Sequence, residues 1–307
     1  MANTIYTLKT PLVSTDTSLP ILTRDALLDG IENDGVRFIF DLAFGFCYPG
    51  GSITDREAPA DPLDNALIAD ISETNDASFL LGAGELVQFL GNGFDYSSLT
   101  QPNSAIIAPA DILADIMADF EGSSQDYMLV TYVKLPTESD WTTSGLTSYI
   151  SAANTGGSLS SDFVAFGAHT DVGVPVIRAI RTIYDQSTEE YSGEYTEIEV
   201  NANEFGQFAQ IAFWRNSSGR GISIRTVNGR RTNTGVYGEN TDHDFSGYTL
   251  KFGCKGGYWH TDFINQLGAH NFRQYRGFVE NLARSGRDPL TVLEADWERT
   301  VARNVFS

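Results

Sequence analysis

The most constraining feature of the sequence is a succession of short apolar segments that occupies most of its central and C-terminal parts. Each segment is rich in β-branched and aromatic residues, and turn-forming residues separate it from the next. Many short strands at this spacing are typical of an antiparallel β-sandwich. The sequence therefore predicts a mainly β fold. The segments read YMLVTYVKLP, FVAFGAH, VPVIRAIRTIYD, YTEIEVNA, FAQIAFWR, GISIRTV, YTLKFGC and YRGFVENL.

Residues 208–231 show the pattern most clearly. Two apolar runs flank the turn-forming residues 217–219, which predicts that the runs pair as a hairpin. Asn228-Gly229 follows at once, and this dipeptide is a strong hairpin signal because both residues can adopt positive φ. The segment is expected to build adjacent strands of one sheet.

Helices and connections are predicted outside these strands. Pro109 suits a helix start, and the apolar residues from Ile112 to Phe120 follow a helical spacing. Asp288 is expected to cap a C-terminal helix that has Pro289 in its first turn. The remaining expectations are an extended arm over 1–20, a short helix over 22–31, a buried strand over 36–49 and a long connection over 50–77.

Length, composition and charge narrow the class of protein. The chain has 307 residues and 41% hydrophobic residues, enough for a large core without disulfides. It has no run of about eighteen apolar residues, so no membrane span is expected, and its N-terminus lacks the pattern of a secretory signal. Its two cysteines, Cys47 and Cys254, do not form a disulfide framework.

The net charge of −20 argues against nucleic acid as a partner. The charge is unevenly distributed: residues 1–200 carry a net −23, and residues 201–307 carry a net +3. This asymmetry indicates either charge-to-charge contact between copies in an assembly or simple solubility.

Several segments resemble the laminin-G-like, concanavalin A-like jelly-roll domain. These are the strand with Trp214-Arg215, the Ser/Gly turn and Ile-rich strand after it, and the Val227-Asn228-Gly229 turn. GNGFDYSS followed by YMLVTYVKLP is similar to an early strand pair, and YRGFVENL to the closing strand. The resemblance covers about residues 78–284. It implies an antiparallel β-sandwich over these residues. Outside it lie an N-terminal extension (1–77) and a C-terminal helix (285–307), both of which are expected to serve assembly.

The end of the chain carries a second resemblance. YRGFVENLARSGRDPLTVLEADW, closing such a sandwich, is similar to the end of tail-associated structural proteins of tailed bacteriophages. The resemblance implies a non-enzymatic structural protein located in the virion, tail or fibre-associated. Its expected partners are other copies of itself and other virion proteins. Its exposed loops are further expected to bind a host-surface glycan, which leaves a glycan-binding receptor module as an alternative function.

Glu197 and Glu199, in TEIEV, are candidate catalytic residues. On a strand they share one face, with side chains about 7 Å apart, a spacing suited to an acid/base pair. The segment resembles the Glu-Ile-Asp strand of concanavalin-like glycosidases, but Val200, Asn201 and Ala202 follow where those enzymes have another Glu. The other reading is an exposed strand face.

Tyr258 and His260 are a second candidate acid/base pair. YTLKFGCKGGYWH resembles the Lys-x-Gly…Tyr strand of concanavalin-like polysaccharide lyases. QLGAH and IRTVNGRR depart from the other two motifs of those enzymes, so a structural role for both residues is the competing reading. A polysaccharide-degrading glycosidase or lyase therefore remains the enzymatic alternative.

Asp242 and Asp244 are candidate calcium ligands, because carboxylates and loop carbonyls suit this cation and some laminin-G-like domains bind it. A full set of ligands is not visible in the sequence, so the expectation is no cofactor, with Ca²⁺ as the alternative.

Arg225, Arg230 and Arg231 are too few for a nucleic-acid surface. We expect them, with Trp297 of the C-terminal helix, to make assembly contacts with an acidic surface of a neighbouring copy.

Overall fold

The structure is a computed structural model, and its described part is almost entirely β. It describes residues 25–28, 35–48, 60–72, 76–101, 104–117, 125–142, 145–154, 162–185, 187–236, 240, 248–253 and 270–306. The strands are β1 (Val36–Asp41), β2 (Ala66–Ile68), β3 (Ala77–Leu80), β4 (Gln88–Leu90), β5 (Gly93–Asp95), β6 (Ala105–Ile107), β7 (Tyr127–Lys134), β8 (Gly145–Asn154), β9 (Asp162–Asp171), β10 (Val174–Asp185), β11 (Glu190–Glu199), β12 (Phe208–Asn216), β13 (Gly219–Thr226), β14 (Gly229–Gly235), β15 (Tyr248–Phe252) and β16 (Arg273–Asn281).

The strands form two antiparallel sheets. Sheet A has the order β14-β13-β12-β7-β16-β5-β4, and β1 also pairs with β16. Sheet B has the order β11-β10-β9-β8-β15-β6-β3-β2. The prediction of a mainly β, antiparallel sandwich is confirmed. The finer assignment to the laminin-G-like jelly roll stays a prediction.

The main core lies between the two sheets, because each strand turns one set of alternate side chains inward. Sheet A contributes Phe38, Ile211 and Phe213, and sheet B contributes Phe166 and Ile177, all of them buried in one apolar cluster. Intervening residues such as Arg178 therefore lie on the outer face of sheet B.

Helices are few in the described residues. They are α1 (Ala110–Met117), α2 (Leu282–Ser285) and α3 (Pro289–Ala302), with short 3-10 helices at Ala26–Leu28, Glu138–Thr142 and Ala202–Glu204. The expected helix after Pro109 is confirmed as α1. Of the helix expected over 22–31, the described residues contain only the turn Ala26–Leu28. The arm expected over 1–20 lies outside the described residues. No helix in the described residues has the length and hydropathy needed to cross a membrane.

Helix α3 forms a third layer on the outer face of sheet A. Asp288 caps it as expected, since its side chain accepts a hydrogen bond from the Thr291 amide. Leu293 and Trp297 are one turn apart on the helix and pack with Trp214 and other side chains of sheet A. The C-terminal helix therefore covers an apolar face of the chain's own sandwich.

The sandwich begins before residue 78, where the sequence placed its boundary. Strand β1 pairs with β16, and β2 pairs with β3, so both belong to the sheets. Of the buried strand expected over 36–49, only Val36–Asp41 is strand, as β1, and turns follow it. Its partner lies more than two hundred residues away, and local sequence patterns do not report such long-range pairing.

The hairpins expected over 208–231 are present, with one correction. Asn216 pairs with Gly219, and Thr226 pairs with Gly229, so the second two-residue turn is Val227-Asn228 rather than Asn228-Gly229. Only Gly229 of the expected pair has positive φ, at 117°. The Asn228 side chain instead donates a hydrogen bond to the Asn203 carbonyl, which anchors the tip of the hairpin.

Candidate functional site

The outer face of sheet B is apolar and buried in its middle, but largely polar and exposed at its edge. In the middle, Leu146, Val176 and Ile180 are buried. At the edge strand β11, the side chains of Tyr195, Glu197 and Glu199 lie on this face and are wholly or partly exposed. These three residues, with Arg178, His169 and Asp171 beside them, are called the β11 strip below.

Arg178 is the centre of the β11 strip, and strand register explains its contacts. It is directly opposite Glu197 across the β10–β11 pair. Its Nε atom donates to Glu197 Oε2 at 2.8 Å, and Nη2 donates to the same oxygen at 2.5 Å. Nη2 also lies 3.2 Å from Asp171 Oδ2. The guanidinium thus holds two carboxylates of different strands in place.

Arg178 also fixes an imidazole and an aromatic ring. Its Nη1 atom lies 2.8 Å from His169 Nε2. Because a guanidinium only donates, His169 Nε2 accepts this bond, and the imidazole is neutral in this arrangement. The guanidinium carbon lies 5.1 Å from the centre of the Tyr195 ring. Tyr195 as a residue is still 62% exposed.

Close packing on one side and hydrogen bonds on the other fix the backbone beneath the strip. Gly167 pairs with Arg178 in the β9–β10 register, and a Cβ atom there would lie 2.0 Å from the Thr147 carbonyl oxygen. On the other side, Arg231 and Asn233 of β14 donate to the main-chain carbonyls of Glu199 and Glu197, each at 2.7 Å. The edge of β11 is therefore joined to sheet A, which fixes the positions of the strip's carboxylates.

The β9–β10 turn projects beside the strip. Val172 is 96% exposed and has a φ of 47°, a region that β-branched residues rarely adopt. Gly173, with a φ of 85°, completes the turn. Val174 follows it and is also exposed. Apolar surface thus adjoins the polar strip.

The candidate catalytic residues have different outcomes. Glu197 and Glu199 share the outer face of β11, as the alternation predicted. Glu197 is paired with Arg178, whereas Glu199 is exposed. Their proposed acid/base role stays a prediction. Tyr258, His260, Asp242 and Asp244 lie outside the described residues. Within the described ranges, no group of three or more His, Cys, Asp or Glu side chains could hold a metal ion.

The arginines expected at an assembly contact have partners within the chain. Arg225 and Arg230 both bind the Glu294 carboxylate of α3 at 3.0 Å. Arg231 binds the buried carboxylate of Glu204. Trp297 packs in the cluster beneath α3, with Arg225 over its ring at 5.6 Å. Contact of these residues with another copy stays a prediction.

A buried ionic cluster under α3 was not predicted. The Arg276 guanidinium contacts Asp25, Asp41 and Asp296 at 2.8–3.1 Å, and Arg303 also pairs with Asp41. Burial opposes a charged Asp25, but the Arg276 charge and hydrogen bond, the hydrogen bond from the Leu27 amide and the Arg299 charge together outweigh it, so the pKa of Asp25 is below its ordinary value. The three aspartates come from distant parts of the chain, so no sequence motif announces the cluster.

The comparisons with known proteins concern the fold alone. No protein-family model matches the chain, and no curated protein matches its sequence. Among solved structures, tailspike protein 2 of Escherichia coli O157:H7 bacteriophage CAB120 is 11% identical with a TM-score of 0.36, over 70% of this chain and 26% of the tailspike.

Two further solved structures match this chain with similar sequence identities and TM-scores. The CBM2 module of the evolved Dit of Lactobacillus casei BL23 phage J-1 is 10% identical, with a TM-score of 0.36, over 63% of this chain and 78% of that module. Trypanosoma rangeli sialidase is 9% identical, with a TM-score of 0.39, over 80% of this chain and 30% of the sialidase. Likenesses at these TM-scores carry no functional inference.

Proposed function

We propose that the chain is a non-enzymatic structural component of a phage virion, tail or fibre-associated, whose β11 strip recognises a glycan on the host surface. The phage setting rests on the resemblance of the closing strand and C-terminal segment to tail-associated proteins. The structural role rests on an apolar surface, and the glycan role rests on the β11 strip.

Exposed apolar residues at one edge of the sandwich support the assembly role. The short edge strands β2 and β4 lie on this side, and hydrogen bonds join the loops beside them: the Tyr48 hydroxyl to the Ala60 carbonyl, and the Ala69 amide to the Cys47 carbonyl. The exposed large apolar residues along it, here called the apolar edge, are Phe44, Phe46, Leu63, Leu67, Leu80, Leu86 and Leu90. A surface of this kind is typical of protein contacts.

Charge favours a second copy as the partner of the apolar edge. Residues 57–133 contain no Lys or Arg, so all charged side chains in this part of the chain are negative. Residues 201–307, by contrast, carry a net charge of +3. Contact between unlike surfaces of successive copies builds rings or filaments.

The assembly proposal is tested by the mass of the protein in solution. Phe46 and Leu63 are 55% and 71% exposed, so aspartate at both positions disturbs the fold little but opposes apolar contact. We expect the wild type to self-associate at micromolar concentration and the double variant to weaken this at least about tenfold. Sedimentation velocity measures both. Val172→Asp, at an exposed site outside both the apolar edge and residues 201–307, is the matched control. A monomeric wild type contradicts the proposal.

The β11 strip supports glycan recognition because it combines an exposed aromatic ring with fixed polar groups. Amphipathic aromatic rings pack against ligands through their faces, and a few precisely placed polar groups orient what binds. Tyr195 supplies the ring, and Arg178 holds Glu197 and Asp171 beside it. The observation that carries the glycan role is this pre-arranged cluster around an exposed tyrosine.

Binding to an oligosaccharide panel tests the glycan role. Tyr195→Ala removes the exposed ring, and we expect binding to weaken by about tenfold or more, the effect of losing an aromatic contact. Val227→Ala removes exposed apolar surface away from the strip and is the control, with unchanged affinity expected. If Tyr195→Ala binds as tightly as the wild type, the strip is not the site.

If the protein is instead an enzyme, different results are expected. A glycosidase that used the β11 strip would degrade a polysaccharide, and Glu199→Gln would abolish turnover while the protein stayed folded. Turnover that persists in Glu199→Gln removes this pair of carboxylates as the catalytic groups. A lyase at Tyr258 and His260 would instead lose activity in Tyr258→Phe.

A further inference from the structure

The charge of the β11 strip bears on which glycans it can take. Its ionised groups are one guanidinium, of Arg178, and three carboxylates, of Asp171, Glu197 and Glu199, while His169 is neutral as an acceptor. The strip thus has a formal charge of about −2 at neutral pH. An anionic ligand would be repelled there, and a neutral or cationic one would not.

The donors of Arg178 are already directed at acceptors in the chain. Nε donates to Glu197, Nη2 lies between Glu197 and Asp171, and Nη1 donates to His169. A ligand carboxylate is bound best by two parallel N–H groups of a guanidinium. To gain that geometry here, it would have to displace Glu197 or Asp171, so Arg178 is poorly placed to bind an acidic sugar.

The groups left facing solvent are mostly acceptors. Glu199 is exposed, and 45% of the Asp171 side chain and 31% of the Glu197 side chain are accessible. Ionised carboxylates only accept hydrogen bonds, so they require donors on the ligand. Sugar hydroxyls and ammonium groups are such donors, and the exposed face of Tyr195 is available to the apolar face of a sugar ring.

We propose, as a deepening of the glycan role above, that the β11 strip takes neutral or amino sugars and discriminates against sugars that carry a carboxylate. Arg178 is a positioning residue in this site. It holds Glu197 and Asp171 so that their remaining oxygens face the ligand, and it supports one face of the Tyr195 ring.

Matched pairs of oligosaccharides test this discrimination. Lactose and sialyllactose differ by an acidic residue, and a chitosan tetramer and its N-acetylated counterpart differ in cationic charge. Titration calorimetry on the full chain measures all four. We expect sialyllactose to bind at least about tenfold more weakly than the best neutral or amino sugar, and the gap to narrow as salt screens the charges.

Variants separate a specific effect of the strip from the overall acidity of the chain. Glu199→Lys removes an exposed carboxylate and adds a cation, so discrimination against sialyllactose should fall by about tenfold or more. Glu190→Lys makes the same change at the opposite end of β11 and is the matched control, with discrimination retained. Equal effects of the two variants would overturn the assignment to the strip.

The outcomes distinguish this inference from the proposed glycan role. If sialyllactose binds as tightly as lactose or the amino sugar, and Tyr195→Ala weakens that binding, the glycan role stands and the inference is overturned. If none of the four sugars binds, both this inference and the glycan role it rests on are overturned.

Discussion

At the scale of single residues, Arg276 is a charged side chain buried beneath helix α3. It is 1% exposed, and three aspartates from different elements surround it. A buried ion pair adds little net stability compared with apolar packing, but removing one member leaves a buried charge without compensation. The cluster therefore makes the fold intolerant of change at Arg276.

Arg276→Ala should lower the free energy of unfolding by about 3–5 kcal/mol, because it leaves Asp41 and Asp296 buried without this partner. Denaturant unfolding measures the change. Arg299→Ala, whose side chain is 40% exposed, is the control and should cost less than about 1 kcal/mol. Similar costs for the two variants would show that the cluster contributes nothing beyond an exposed ion pair.

At the scale of elements, local sequence signals predicted what depends on neighbouring residues. Alternation placed Glu197 and Glu199 on one face of β11, and Asp288 and Pro289 marked the start of α3. The contacts that make a site of the strip could not be predicted this way. Arg178 meets Glu197 through the register of β10 with β11, which the sequence does not specify.

Asp288→Ala tests how far the cap of α3 stabilises the protein. The Asp288 carboxylate accepts from the Thr291 amide at 3.2 Å, and losing a cap of this kind costs about 1 kcal/mol. Asp288→Asn keeps an acceptor and should cost only a few tenths of this value. Denaturant midpoints of the two variants give the comparison, and an alanine variant as stable as the asparagine variant would contradict the role.

At the scale of the whole molecule, segments from both ends of the described chain close over the outer face of sheet A. Leu27 from the N-terminal side and Trp297 from the C-terminal side share one apolar cluster. Asp25 and Asp296 share the Arg276 guanidinium below it. The sequence assigned these two ends to assembly, which stays a prediction, and distant pairings also join their described parts to the sandwich itself. Sheet B has no such helix on its outer face in the described residues, and there the edge strand β11 carries the β11 strip.

The ion pair between Asp25 and Arg276 predicts that the stability of the fold depends on pH. Burial raises the pKa of Asp25 in the folded protein, but Arg276, the Leu27 amide and Arg299 together hold that pKa below its ordinary value. This stabilisation is therefore fully present above the pKa of the unfolded chain, near 4, and is lost as the pH falls through the lower folded pKa. Asp25→Asn should reduce stability at pH 7 and flatten its decline below about pH 4.

Unfolding midpoints measured from pH 7 to pH 3 check this dependence. Glu190→Gln, at an exposed site on β11, is the control and should follow the wild-type curve. The protonated Asp25 and the asparagine are nearly equivalent as partners of Arg276, so the curves of wild type and Asp25→Asn should converge at the acidic end. Curves that stay parallel over the whole range would mean that Asp25 stabilises the fold by packing rather than by its charge.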